Sequence, residues 1–146
     1  MRRRLLILAL ASISATHLLA QGSAAAAPVA RVDSAATLAA GRKYTEWFYA
    51  DLGDSLIAHS STQVKEKVTA AQLSEIQGQL TAQVGGETEI ISETVVAADS
   101  LSAYLREAKF EMMEEPLVLA FTLGGSGQIY GFFIRPKSQM PAQQPK

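Results

Sequence analysis

The sequence predicts an α+β domain in which about three N-terminal helices pack on one face of a curved, four-stranded antiparallel sheet. Residues 34–84 carry apolar side chains at helical spacing, and residues 88–96 are rich in β-branched residues. Two apolar segments joined by a glycine-rich turn follow further along the chain. Helices that precede the strands, instead of alternating with them, are typical of α+β domains with the helices on one side of the sheet. We therefore predict one domain over residues 34–136.

The first 26 residues have the pattern of a secretory signal peptide. Arginines at positions 2–4 precede a short apolar run from Leu5 to Ile13, and small residues lead to Ala24–Ala26 as a cleavage pattern. This order of features is the signature of a signal peptide, and the apolar run is too short to span ~30 Å of hydrocarbon. The sequence thus predicts an exported protein, periplasmic or extracellular, with a flexible spacer at residues 27–33 and no membrane attachment after cleavage.

The composition excludes several classes of partner and chemistry. The 146 residues include no cysteine, so a disulfide framework, a thiol nucleophile and a lipid-modified cysteine are all excluded. Three of the 13 basic residues belong to the predicted signal peptide, and the remainder form no basic cluster against 14 acidic residues. This charge distribution argues against binding to nucleic acid. Residues 137–146 are rich in Gln, Pro and Lys and are predicted to be a disordered tail.

Three helices are predicted from spacing and capping residues. Ser34 is the expected cap of the first helix, and Gly53 is expected to end it. A short second helix is expected over residues 54–59. Thr69 and Gln72 match a capping box for the third helix, with Gly85 as its C-terminal stop. The apolar stripes of the first and third helices are Leu38, Gly41, Tyr44, Phe48 and Leu52, and Leu73, Ile76, Leu80 and Val84.

Four strands are expected after Gly85, and the last two are apolar at both odd and even positions. Alternate side chains of a strand point to opposite faces of the sheet, so this part of the sheet needs a cover on both faces. Gly131 suits a bend or bulge. The helices cover one face, and we predict that the other forms a homodimer or pairs with a similar partner. The predicted interface is Val118, Ala120, Tyr130, Phe132 and Ile134, or the complementary alternate set.

Four segments in order resemble an uncharacterised family, domain of unknown function 3887. The segment GRKYTEWFYADLGDSL (41–56) is similar to that family's aromatic-rich opening helix and its Gly-Asp turn. The later segments are AQVGGETEIISE (82–93), LREAKFE (105–111) and GQIYGFFIRP (127–136). The resemblance implies the cone-shaped fold of the nuclear transport factor 2-like, or cystatin-like, group. Members are often exported and bacterial, and the resemblance implies no catalytic residue.

A ligand pocket between helices and sheet is predicted from aromatic residues and one arginine. These residues are Tyr44, Trp47, Phe48, Tyr104, Arg106 and Tyr130. They supply apolar walls with a few polar tips, as in small-molecule sites. Arg106 either holds an anionic group by its fork of donors or forms an internal ion pair with Asp51 or Glu46, and we favour the ion pair.

The remaining polar candidates are expected to be structural. His59 is the one histidine outside the predicted signal peptide, and a histidine without a second ligand is a poor metal site and suits a helix end. Asp51 and Asp54 flank a glycine and suit a turn. Carboxylates on the first predicted strand are expected to lie on a solvated face; they are Glu87, Glu89 and Glu93. We predict no catalytic residue, no metal and no cofactor.

Two functions follow from these observations. The first is an exported binding or protein-interaction module without its own catalysis. The alternative is a small cone-fold enzyme, isomerase- or hydrolase-like, that acts on an apolar ligand in the helix–sheet pocket. An enzyme needs a proton-transfer group within hydrogen-bond reach of the ligand, so a polar dyad inside the pocket would distinguish the two.

Overall fold

A computed structural model gives the structure of residues 33–141. The predicted signal peptide, the spacer up to residue 32 and residues 142–146 lie outside the described residues. In the part of the chain that the structure describes, every helix is too short or too polar to cross a membrane.

The structure is α+β, with the helices first and one antiparallel sheet of four strands in the order β1-β2-β3-β4. This confirms the predicted class. The elements are α1 (Ser34–Tyr49), α2 (Gly53–Ala58), α3 (Thr62–Lys65), α4 (Ala70–Val84), β1 (Glu87–Ala98), β2 (Leu101–Phe110), β3 (Leu117–Gly124), β4 (Ile129–Pro136) and a 3-10 turn (Lys137–Gln139).

The helix ends correct two predictions and confirm a third. Asp33, not Ser34, caps α1, because its carboxylate accepts hydrogen bonds from the N–H groups of Ala35 and Ala36. Gly53 begins α2 instead of ending α1, and a Cβ there would lie 2.8 Å from a backbone oxygen of α4. The capping box of α4 is present as predicted from Thr69 and Gln72.

The main core lies between the helices and one face of the sheet. Its buried members come from α1, α2, α4 and all strands except β1: Tyr44, Phe48, Leu56, Leu73, Tyr104, Leu119, Phe121, Leu123 and Ile129. The one-turn α3 was not predicted, since four residues carry no apolar periodicity. Ser61 caps the N-terminus of α3, and its hydroxyl accepts a hydrogen bond from the N–H of Val64 at 3.4 Å.

A β-bulge explains why the last strand does not alternate. Thr122 pairs with Gly131 whereas Leu123 pairs with Ile129, so Tyr130 is an extra residue on β4. Ile129 and Phe132 consequently both face the helices, although they are three residues apart. The bulge lies beside Gly131, as the sequence predicts.

The strand register separates the residues of the predicted interface. Val118 and Ala120 pair with Arg135 and Phe133, which face away from the helices, whereas Phe132 and Ile134 pack against the helix-side core. The predicted set therefore divides between the two faces of the sheet and does not form one surface. Val118 and Ala120 are already 6% and 1% exposed within the single chain.

The segment after β4 folds back beside the outer face of the sheet, which is the face away from the helices. The N–H of Lys137 donates to the carbonyl of Pro116 at 3.0 Å, and its ammonium lies 2.6 Å from Glu107. Met140 then lines a shallow pocket with Val118. The described start of the predicted tail, residues 137–141, thus has defined contacts with the domain.

Candidate functional site

An apolar pocket of about 290 Å³ opens between the second half of the helical layer and strands β3 and β4. Its inner wall consists of core side chains, and its outer rim consists of side chains that keep some exposure. The lining residues are Phe48, Leu56, Ser60, Gln63, Val64, Lys67, Val68, Leu73, Ile76, Phe121, Ile129, Tyr130, Gly131 and Phe132. The rim residue Ile76 is 44% exposed, which is unusual for a large aliphatic side chain on the apolar stripe of a helix.

Backbone pairing with β4 positions the α3 side of this pocket. Ser60 forms a parallel bridge with Ile129. The N–H of Ser61 donates to the carbonyl of Ile129 at 2.7 Å, and the N–H of Ile129 donates to the carbonyl of His59 at 2.9 Å. These bonds attach the start of α3 to the first residue of β4. They place Val64 and Val68 opposite the bulged part of the strand.

The bulge shapes the sheet side of the pocket. Tyr130, the extra residue, is 43% exposed at the rim, and the next residue, Gly131, has no side chain. A Cβ on Gly131 would point to Thr122, at 3.7 Å from its hydroxyl oxygen, and therefore not into the helix-side core. The pocket wall at this point is backbone. The irregular strand thus leaves space where a regular strand would place a side chain.

The polar groups of the pocket are few and lie near one end. The buried hydroxyl of Ser60 donates to the carbonyl of Leu56 at 2.8 Å and is therefore satisfied. Gln63 and Tyr130 are the other neutral polar residues, and Lys67 is the one ordinarily charged residue among those that line the pocket. Within residues 33–141, Lys67 makes no ion pair.

The structure brings two of the six predicted pocket residues to this site. Phe48 and Tyr130 line it, but Tyr44, Trp47, Tyr104 and Arg106 do not. Sequence reasoning missed the α3 wall because that helix was not predicted. The spacing of Val64 and Val68, four residues apart after the capping serine, is the one local signal that could have indicated it.

Arg106 lies in an internal ion-pair network at another part of the helix–sheet interface. Its guanidinium binds both carboxylate oxygens of Glu87 and lies 3.3 Å from Glu93. Glu93 also accepts from Tyr104 and, at 2.6 Å, from Arg42 of α1. The preferred prediction of an internal ion pair is confirmed. The partners are Glu87 and Glu93 instead of Asp51 or Glu46. Glu93 is directly opposite Arg106 in the β1–β2 register.

The same network shows that the prediction of a solvated carboxylate face on β1 is wrong for two of its three residues. The side chains of Glu87 and Glu93 are only 13% and 12% exposed, and Glu89 alone, at 59%, is a surface carboxylate. The hydrogen bonds from Arg42 hold the pKa of Glu93 at about 2, although burial acts in the opposite direction. Burial, with the hydrogen bond to Glu93, raises the pKa of Tyr104 to about 12. These groups satisfy one another, and no buried polar side-chain atom of the described residues lacks a partner.

The predicted aromatic residues Tyr44 and Trp47 pack around His59, which follows α2. The His59 ring lies 4.9 Å from that of Trp47 and 5.9 Å from that of Tyr44. Its Nδ1 lies 2.9 Å from the carbonyl of Ser55, so Nδ1 carries the proton and donates. The Tyr44 hydroxyl donates to the carbonyl of Gly127 at 2.7 Å. The cluster ties α1, the end of α2 and the β3–β4 turn together.

Asp51 and Asp54, the carboxylates near the α1–α2 turn, form no hydrogen bond with His59. Asp51 has a positive φ of 56° and is exposed in the turn, which agrees with the predicted structural use. Asp54 lies in the first turn of α2, where a negative charge is favourable. Within residues 33–141, no three His, Cys, Asp or Glu side chains come together as a metal site.

Comparison of the chain with protein-family models, with characterised proteins and with solved structures finds no match.

Proposed function

We propose that this protein is a binding module that holds a small apolar ligand in the pocket between α2, α3, α4 and the bulged strand β4. The observation that carries the proposal is the pocket itself, an opening lined by aromatic and aliphatic side chains with few polar groups. Small-molecule sites have this composition, with apolar walls and a small number of polar groups that set the orientation of the ligand.

The exposure of Ile76 supports the same proposal. Ile76 belongs to the apolar stripe of α4, yet it borders the open pocket and remains 44% exposed, whereas Leu73 on the same stripe is buried. An apolar ligand in the pocket would remove part of this surface from water. The transfer of apolar surface out of water is the main favourable contribution to such binding.

The lining favours binding over catalysis. No carboxylate and no histidine is among the residues that line the pocket, and His59 lies in a different cleft, near Tyr44 and the β3–β4 turn. Lys67 and Tyr130 are the titratable residues of the pocket, and within residues 33–141 neither has a second titratable group as a hydrogen-bond partner. An acid–base mechanism would require such a positioned pair.

We also propose that the domain belongs to the nuclear transport factor 2-like group, as the resemblance to the family of unknown function 3887 implies. The supporting observations are a helical layer on one face of the sheet and bulges in both edge strands, β1 and β4, since bulges bend a sheet. Export from the cytoplasm is proposed on the N-terminal sequence pattern alone.

Binding of a neutral fluorescent probe tests the proposal. N-phenyl-1-naphthylamine carries no charge, and its fluorescence rises in apolar surroundings, so saturable binding to the purified chain is expected. Ile76→Gln should weaken this binding about five- to tenfold, because a large aliphatic contact with the probe is lost. Ile90→Gln is the matched control, since Ile90 is 48% exposed on β1 and does not line the pocket. Absence of saturable binding, or equal weakening by both substitutions, would refute the proposed site.

A further inference from the structure

The apolar pocket continues into a second groove, and the two share lining residues. The groove has a volume of about 570 Å³ and runs between α4 and β4. Ile76 and Phe132 line both spaces. Beyond them the groove is bordered by Leu80, Val84, Met113 and Ile134. The combined site is therefore elongated, and it follows the direction of the α4 helix along the edge strand of the sheet.

The only charge among the described residues that line the pocket end of this elongated site is positive. Lys67 lines the pocket, no Asp or Glu lines it, and Lys67 has no ion-pair partner among residues 33–141. The groove carries the neutral residues Gln79 and Gln83, and no carboxylate lines it either. An ammonium beside an apolar cavity attracts an anionic group and disfavours a cationic one.

Arg135, at the far end of the groove, is the other cation of the combined site. Its guanidinium lies 5.1 Å from the centre of the Phe133 ring, in a cation–π contact. Phe133 belongs to the outer face of the sheet, as its pairing with Ala120 places it there. Arg135 is thus directed to the outer face, and Lys67 is the cation that adjoins the apolar pocket.

We propose that the ligand is an anionic amphiphile, with its negative head group at Lys67 and its apolar tail extending past Ile76 and Phe132 into the groove. This inference rests on the proposed binding function and specifies the class of ligand. A tail longer than the pocket gains apolar contact along the groove, and the head group stays at the water-exposed rim. Lys67 is itself exposed, so the head group and the ammonium meet where both keep partial hydration.

Three ligands with the same tail and different head groups test this inference. Dodecanoate, dodecanol and dodecyltrimethylammonium are titrated, each below its micelle-forming concentration, against the complex of the chain with N-phenyl-1-naphthylamine. Dodecanoate is expected to displace the probe at about a tenfold lower concentration than dodecanol, and dodecyltrimethylammonium is expected to be the weakest of the three. The preference for dodecanoate should decrease at high salt, because the ion pair at the rim is screened.

Variants assign the preference to one side chain. Lys67→Gln should abolish the difference between dodecanoate and dodecanol in the concentration that displaces the probe. Lys65→Gln is the matched control, because Lys65 is an exposed neighbour on α3 that does not line the pocket. Loss of the preference in Lys65→Gln or in Arg135→Gln, with its retention in Lys67→Gln, would overturn the assignment to Lys67.

The outcomes separate this inference from the proposed function. Equal displacement by dodecanoate and dodecanol would overturn the anionic head group and leave the apolar site intact. Failure of all three ligands in a chain that still binds the probe would overturn the amphiphile. Failure of the probe itself to bind would refute the proposed function.

Discussion

The ring of Tyr104 on β2 lies directly against the backbone of Gly41 on α1, and a Cβ added to Gly41 would fall 2.1 Å from Tyr104 Cγ. Tyr104 is fully buried, and its hydroxyl donates to Glu93. The absence of a side chain at residue 41 therefore sets how closely α1 approaches the sheet. It also brings Arg42 of the same helix within reach of Glu93.

Replacing Gly41 by alanine is expected to destabilise the protein. In a helix interior, alanine is more favourable than glycine by ~1 kcal/mol. At Gly41 this gain is exceeded by overpacking, because the Tyr104 ring is held on all sides and cannot move away; overpacking costs typically ~1–3 kcal/mol and at times more. Chemical denaturation of Gly41→Ala should show a lower free energy of unfolding.

Gly78→Ala is the matched control for that substitution. Gly78 also lies inside a helix, α4, but a Cβ there would have no atom within 4 Å. The substitution should raise the free energy of unfolding by ~0.5–1 kcal/mol. Equal effects of the two substitutions would contradict the close packing of α1 on Tyr104.

Glu93 should make the stability of the protein depend on acid pH. Hydrogen bonds from Arg42 lower the pKa of Glu93 from 4.5 to about 2 in the folded protein. A carboxyl group with a lowered pKa contributes stability above its ordinary pKa, and this contribution is lost as the pH falls from 4.5 towards 2. In Glu93→Gln the free energy of unfolding should be lower at neutral pH, and it should fall less steeply below pH 4.5 than in the unmodified protein.

The control for this pH dependence is Glu89→Gln. Glu89 is 59% exposed and pairs with Lys109, which is 51% exposed. Surface ion pairs contribute only ~0–1 kcal/mol. The free energy of unfolding of Glu89→Gln should therefore fall with decreasing pH as steeply as that of the unmodified protein. If the free energy of unfolding fell equally steeply at acid pH in Glu93→Gln and in the unmodified protein, the Arg42–Glu93 contact would not stabilise the fold.

Phe48 is expected to be a major contributor to stability. It is 2% exposed, and its ring centre lies 4.9 Å from that of Phe132 on β4. Phe48→Ala should cost ~3–5 kcal/mol, from lost burial and the cavity that remains. Urea denaturation gives the value, with Leu52→Ala as the control because Leu52 is 45% exposed. A loss below ~1 kcal/mol for Phe48→Ala would mean that α1 does not pack on the sheet through this residue.

The neighbouring residues Phe132 and Phe133 should respond in opposite ways to glutamate. Phe132 is half-buried between Phe48 and Phe121 on the helix side, with its ring centre 4.9 Å from each, so Phe132→Glu would place a charge against two aromatic rings and should strongly destabilise or unfold the domain. Phe133 pairs with Ala120 on the outer face, and Phe133→Glu should remain folded by circular dichroism. A folded Phe132→Glu with an unchanged free energy of unfolding would contradict the assigned faces of β4.

Self-association through the outer face stays a prediction, and Phe133→Glu tests it. If two copies pair through this face, the unmodified chain should be dimeric by light scattering at micromolar concentration and Phe133→Glu should be monomeric. An unmodified chain that is monomeric, with no similar partner recovered from its source, would refute the prediction.

Local features of the chain were readable from the sequence because they depend on neighbouring residues only. The capping box of α4 joins Thr69 to Gln72 within one turn, and the change from helices to strands at Gly85 follows from composition. The bulge beside Gly131 was also expected from a glycine within a strand pattern. The cap of α1 was misplaced by one residue, since Asp33 and Ser34 are both good caps and only the backbone conformation decides between them.

The partners of Arg106, the faces of β4 and the wall of the pocket were decided by tertiary structure alone. The β1–β2 register sets Glu93 against Arg106 across the sheet, and the extra residue Tyr130 reverses which side of β4 faces the helices. The pocket exists because the Ser60–Ile129 pairing holds α3 beside that bulge. Each of these relationships joins residues that are distant in the chain, and a shift of one residue in strand register would exchange the faces, so periodicity within a single segment does not determine them.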